Sequence, residues 1–260
     1  MKVSSCLLIV FFSLNIYSQN KTIVPKKGTI VFNCNEIITD KKLYEVSKKE
    51  FKTNFSLFLK NKIITEREQL DEKIDSLQLK NILEQFENGF ELIFNNLFIN
   101  LNGGYQYHHT FDNSKITYQV TKNGELIGKN QTIDVNDNIR TEATEVSNNS
   151  EMPFINVFAH FDDNDIIEIK EFRNEKRKIK NFDCFKVLIS YKETLDDLDF
   201  FNSYIFYREL WVSEKIKCLH HPIIKYPIIL EKYYPLEIME YSDMQKGIIK
   251  EYKVEEISLK

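Results

Sequence analysis

The sequence predicts an α+β fold: a large, curved antiparallel sheet with N-terminal helices packed on one face. Three observations predict it. Helical periodicity is confined to about 40–95. Strand-like alternation occupies about 28–38 and then 105–258. No β-α-β alternation of the kind that builds a parallel sheet occurs. With 260 residues, 42% hydrophobic and 28% charged, the chain can bury a real core. One domain over 19–260 is the reading adopted. Seven glycines and five prolines are too few for a collagen-like or Gly/Pro-rich disordered chain. Thirty-five basic against 39 acidic side chains, net −4, argues against a nucleic-acid partner.

The elements follow in order. Met1–Ser18 has a basic start at Lys2, an apolar run Cys6–Phe12 and a small residue at Ser18. That is the layout of a secretory signal peptide, and it predicts export to the periplasm or beyond. No small-residue pattern precedes Cys6, so no lipoprotein signal is read. No later stretch is apolar over eighteen residues, so no integral membrane segment is expected in the mature chain.

Gly28–Ile38 alternates, with Ile30, Phe32 and Cys34 on one face, and reads as a first strand. Thr39 and Asp40 supply capping side chains. Tyr44, Phe51, Phe55, Phe58 and Leu59 then keep a helical period, and lysines fill the opposite face. Leu70, Ile74, Leu77, Ile82, Leu83 and Phe86 continue it in a second helical stretch. The run 90–101 fits either a helix or a strand leading into Asn102-Gly103. Beyond Gly104, Tyr105–Phe111 and Ile116–Val120 alternate as strands, and Asn123-Gly124 marks a hairpin. Asp134–Ser150 is polar and reads as an exposed loop. Phe154–Phe161, Ile166–Phe172, Phe182–Tyr191, Tyr204–Ser213 and Ile248–Ile257 complete the strands.

Loss of Cys6 with the leader leaves Cys34, Cys184 and Cys218. An oxidising compartment permits one pair, Cys184–Cys218, since both lie in the strand-rich half. The alternative is three buried thiols acting as small hydrophobes. Histidines occur as His108-His109, His160 and His220-His221. Neighbours on a strand point to opposite faces and cannot share a metal. Cys218-Leu219-His220-His221 lacks the further ligands of a zinc site. Asp134–Glu145 echoes a calcium loop but has Ile139 where glycine belongs. There is no G-x-S-x-G and no phosphate-cradling glycine motif. No metal, cofactor or catalytic residue is therefore assigned.

Aromatic content stands out: 20 Phe, 13 Tyr and one Trp. Trp211, Tyr226, Tyr233 and Tyr234 are the candidate ligand-binding residues, forming an apolar cavity or groove. The alternative is that they are core.

Three local patterns carry a resemblance. Ile179-Lys180-Asn181-Phe182-Asp183-Cys184-Phe185-Lys186 has the form I-x-G-[YF]-x-C-x-K, with Asn181 in place of glycine. Trp211-Val212-Ser213-Glu214-Lys215-Ile216 has the form W-[YV]-[TS]-x-x-I. Tyr226-Pro227-Ile228-Ile229-Leu230-Glu231 stands where a G-L-P-G-L-I segment would, without its glycines. Over roughly the last third, the chain resembles exported Bacteroidota proteins of the GLPGLI type, some of whose relatives look like the curved-sheet LolA-like carriers. The resemblance implies that fold and a hydrophobic cargo, and no catalytic residue.

The expected function is thus a non-enzymatic exported protein binding an apolar ligand or an envelope protein. One alternative is a metal-dependent or hydrolytic enzyme using His160, Asp162, Cys218 and His220. Another is an outer-membrane assembly or maturation factor.

Overall fold

A computed structural model describes residues 22–69, 76–98, 103–136, 139–142, 162–192 and 203–260. The expected leader at 1–18 and the expected strand at Phe154–Phe161 lie outside them. The chain runs β1 (Lys27–Ile38), α1 (Lys41–Gln69), α2 (Ser76–Phe98), β2 (Tyr105–Asp112), β3 (Lys115–Lys122), β4 (Glu125–Asp134) and β5 (Ile139–Glu142). After a 3-10 turn come β6 (Ile166–Ile179), β7 (Phe182–Tyr191), β8 (Phe206–Ser213), α3 (Pro227–Leu230), β9 (Tyr234–Ser242) and β10 (Ile248–Leu259).

The described strands form one ten-stranded sheet in the order β5-β4-β3-β2-β1-β10-β9-β8-β7-β6. Every pairing in it is antiparallel. β1 and β10 lie side by side at its centre. The predicted α+β class, with a large antiparallel sheet, is what the chain adopts.

Local chemistry explains most element ends. Asp40 caps α1, its Oδ1 accepting from the Leu43 amide at 2.9 Å. Asn123 and Gly124 both take positive φ, 54° and 85°, the pairing that a two-residue hairpin requires. Gly247 (φ 78°) ends the β9–β10 turn. A Cβ there would stand 2.4 Å from the Asp40 carbonyl oxygen and 2.7 Å from the Tyr44 nitrogen, so only glycine lets α1 rest on that turn.

Several elements differ from the sequence reading. The ambiguous run after Gly89 is helical to Phe98. β5 lies inside the stretch expected as an exposed loop, pairing Ile139–Glu142 with the end of β4. β6 continues past Phe172 to Ile179. β9 was not anticipated, because Pro235 argues against a central strand. It is accommodated where the β8–β9 register shifts between Trp211 and Val212.

The main core lies on one face of the sheet. It includes Ile30, Phe32, Phe111, Ile116, Val187, Ile189, Leu210, Val212, Leu236, Ile238 and Val254. Among the described residues, the segment laid across this face is the largely irregular strap 214–233, which puts Ile216, Ile223, Ile224, Tyr226, Ile229 and Leu230 into the same cluster. The helices build a second cluster from Phe51, Phe55, Phe90 and Phe94. Phe58, Leu59, Phe86, Tyr204 and Met244 pack around it, placing the hairpin at the Tyr204/Met244 end of the sheet. Ser47 Oγ donates to the Lys246 carbonyl at 3.2 Å, fixing α1 to the β9–β10 turn.

Candidate ligand-binding face

The covered face is organised in rows that cross the strands. Register aligns Val187, Leu210, Ile238, Tyr252, Cys34 and Tyr105 from β7 to β2. A second row runs Val254, Phe32, Tyr107, Val120, Ile127 from β10 to β4. It begins buried at Val254 and Phe32 and becomes half-buried at Tyr107, Val120 and Ile127. The apolar face therefore opens towards the β2–β4 side among the described residues. Tyr107 meets Tyr252 edge-on at 5.6 Å.

Polar groups beneath the strap are placed with care for their partners. His221 is 1% exposed. Its Nδ1 accepts from the amides of Ile223 and Ile224, both at 3.0 Å. Its Nε2–H donates to the Pro235 carbonyl at 3.0 Å. One imidazole thus satisfies two amides of an irregular segment and a carbonyl of β9, the work that a helix or sheet ladder does elsewhere. Burial pushes its pKa down to about 3, against a bond to Pro235 that raises it, so the ring is neutral. His109 Nδ1 lies 2.7 Å from the Tyr234 hydroxyl. Burial holds its pKa well below the usual imidazole range, and its buried Nε2 has no hydrogen-bond partner. Lys225 Nζ donates to the His221 carbonyl at 2.9 Å and lies 5.3 Å from the Tyr118 ring. Burial, then the charge of Arg208, lowers its pKa to about 7.

A third row carries charge: Ile189, Arg208, Glu240, Lys250 and Glu36 from β7 to β1. Arg208 is 7% exposed. Its Nε donates to Glu240 Oε1 at 2.6 Å, and its guanidinium carbon lies 4.7 Å from the Tyr191 ring centre. Its Nη1 is buried without a hydrogen-bond partner.

The four candidate aromatics do not share a site. Tyr226 and Tyr234 are core, 1% and 0% exposed. Tyr226 packs edge-on against Tyr191 at 5.6 Å, and Tyr234 tilts on His221 at 4.8 Å. Trp211 alternates with Leu210 and Val212 and so points to the opposite face, where the Arg177 guanidinium lies 3.9 Å over its ring. Tyr233 touches Phe185 edge-on at 5.4 Å and hydrogen-bonds Glu171. It borders an open 460 Å³ groove lined otherwise by Glu171, Arg173, Glu214, Lys217, Glu231 and Lys232, which is charged rather than apolar.

Cys184 and Cys218 are free thiols, as is Cys34, so the expected pairing is corrected. Cys184 turns into the sheet core, while Cys218 exchanges contacts with the His220 main chain at 3.2 and 3.4 Å. Burial raises Cys34 and Cys184 to about 12 and Cys218 to about 11, which keeps them protonated and poorly nucleophilic. Of the enzymatic alternative, His160 lies outside the described residues. Asp162 is exposed and caps the 3-10 turn through Asn164. Among the described residues no three His, Cys, Asp or Glu side chains are arranged to hold a metal.

Arg208, Lys225, His109 and Tyr107 are not among the binding residues that the sequence singles out. Two of them left a signal. Arg208 occupies an apolar-parity position in the alternation Phe206-Arg208-Leu210, and Lys225 interrupts the apolar run Ile223-Ile224-Lys225-Tyr226.

An open antiparallel sheet with one strapped apolar face is the class that this fold and site define. No family model and no curated protein matches the chain. Among solved structures, it is similar to a LolA superfamily protein from Nitrosomonas europaea, with 8% identity over 93% of this chain and 90% of that one and a TM-score of 0.28.

Proposed function

We propose that this is a non-catalytic exported binding protein that takes an apolar ligand on the covered face of its sheet. The observation that carries the reading is the graded row Phe32, Tyr107, Val120, Ile127, which leads from the sealed core to a half-buried apolar strip. The strap supports it too: it is largely irregular, so displacing it disrupts side-chain packing but no ladder of the main sheet. Export rests on the leader pattern of Met1–Ser18 and places the protein in the periplasm or outside the cell. No described helix is long and apolar enough to cross a membrane.

The test is a fluorescence titration with the neutral probe N-phenyl-1-naphthylamine. Saturable binding near one probe per chain, weakened by Tyr107→Ser or Val120→Asp, is the expected result. Absence of saturable binding, with nothing small retained in native mass spectra of protein purified from its own host, overturns the reading.

A further inference from the structure

The row Arg208–Glu240–Lys250–Glu36 sits at a boundary. The row beside it on one side, Val187, Leu210, Ile238, Tyr252 and Cys34, belongs to the strapped core. On the other side, Glu36 leads to the end of β1 where α1 begins, and its charge reaches Tyr44 of that helix. The charges thus mark a seam between the two covers of the sheet. Arg208 faces Tyr226, His221 and Lys225 of the strap, and Tyr191, Tyr252 and Glu240 of neighbouring strands. Glu240 engages only Nε. That leaves the Nη1 donors inside the protein with no acceptor, a condition that folded proteins seldom tolerate without a purpose.

We propose that Arg208 anchors the carboxylate of a long-chain acid, whose hydrocarbon lies along the apolar face in place of strap side chains. This deepens the ligand-binding reading and rests on it. A neutral hydrocarbon leaves Nη1 unsatisfied, whereas a carboxylate supplies a charge-assisted acceptor in a site shielded from water. Glu240, already on the guanidinium, repels a second negative charge, which favours a monoanionic carboxylate over a phosphate headgroup. The tyrosines packed around Arg208 keep water from competing for it.

The experiment compares dodecanoate, dodecanol and dodecyl phosphate by displacement of the neutral naphthylamine probe, for the wild type and for Arg208→Lys. Lysine retains a cation able to pair with Glu240 but lacks the second nitrogen. Dodecanoate should bind about tenfold or more tightly than dodecanol to the wild type. Arg208→Lys should erase that preference, with the loss falling on the acid rather than on the alcohol. Equal binding of acid and alcohol overturns the anchor while sparing the ligand-binding reading; no binding of any of the three overturns both. A preference that survives Arg208→Lys overturns the role of Arg208, and dodecyl phosphate binding as tightly as the acid overturns the choice of carboxylate. Should Arg208→Lys not fold, Glu240→Gln decides, because relief of repulsion must raise the preference for the acid; an unchanged preference overturns the proposal.

Discussion

The two covers of the sheet solve the same problem differently. The helical hairpin satisfies its backbone internally and joins through a small aromatic cluster: Phe51 and Phe55 on α1, Phe90 and Phe94 on α2, with ring centres 5.4–6.3 Å apart. The strap contains only a four-residue helix, yet its apolar side chains enter the main core. Side chains satisfy part of its backbone: His221, itself in the strap, accepts from the Ile223 and Ile224 amides and ties the strap to β9 through the Pro235 carbonyl, and Asp163 accepts from the Ile228 amide. Regular structure is therefore a poor guide to which cover is integral to the core. The hairpin is a satellite resting on turns, while the strap is part of the wall it covers.

Leu230→Ala breaks this contrast most strongly. Leu230 is 1% exposed within the main cluster, so the truncation should lower global stability by about 2–5 kcal/mol in urea titrations. Phe55→Ala should cost about 3–5 kcal/mol locally but act on the helices. Hydrogen exchange should then show faster amides in α1 and α2 with the β7–β10 amides unchanged. Equal acceleration in the sheet would show that the hairpin is no satellite.

Acid sharpens the comparison next. The folded pKa of His221 is about 3, below its ordinary 6.5, so the unfolded chain holds more protons between those values. Stability is then full above about pH 6.5 and is lost as pH falls towards 3, and the direction for His109 is the same. Lys225 acts at the other end: its folded pKa of about 7 lies below 10.5, so stability rises with pH between those values. Urea midpoints across pH should climb in both windows. Lys225→Met should flatten the alkaline climb, and His221→Gln should flatten part of the acid one.

The smallest effect is expected in the charged groove between β6 and the strap. Arg173 bonds Glu171 and Glu214, at 2.6 and 3.0 Å, with about half of its side chain exposed (54%). Arg173→Ala should leave the urea midpoint nearly unchanged, and the small change should shrink further in high salt. A larger loss would mean that the charged groove holds the strap in place.

Much of the sheet was legible because each strand with one buried face writes a period of two into its own residues. Phe182–Tyr191 was read with its observed bounds, and Asn123-Gly124 located its hairpin. Pro235 hid β9, since a missing amide is normally forbidden mid-sheet and only the register shift opposite Val212 makes room for it. The candidate site was less legible. Tyr226, Tyr233, Tyr234 and Trp211 are close in sequence, but strand alternation and the strap send them into core, groove and opposite face.

By itself the sequence determined the fold class, the cap of α1, the hairpin turn and the parity of most strands, because those depend on residues a few positions apart. Only tertiary structure decided that the first strand lies against the last, that an irregular strap and not the helices fills the main core, and that Arg208 ends beneath it with a donor to spare. Those outcomes depend on pairings between residues far apart in the chain, whose partners no local pattern specifies.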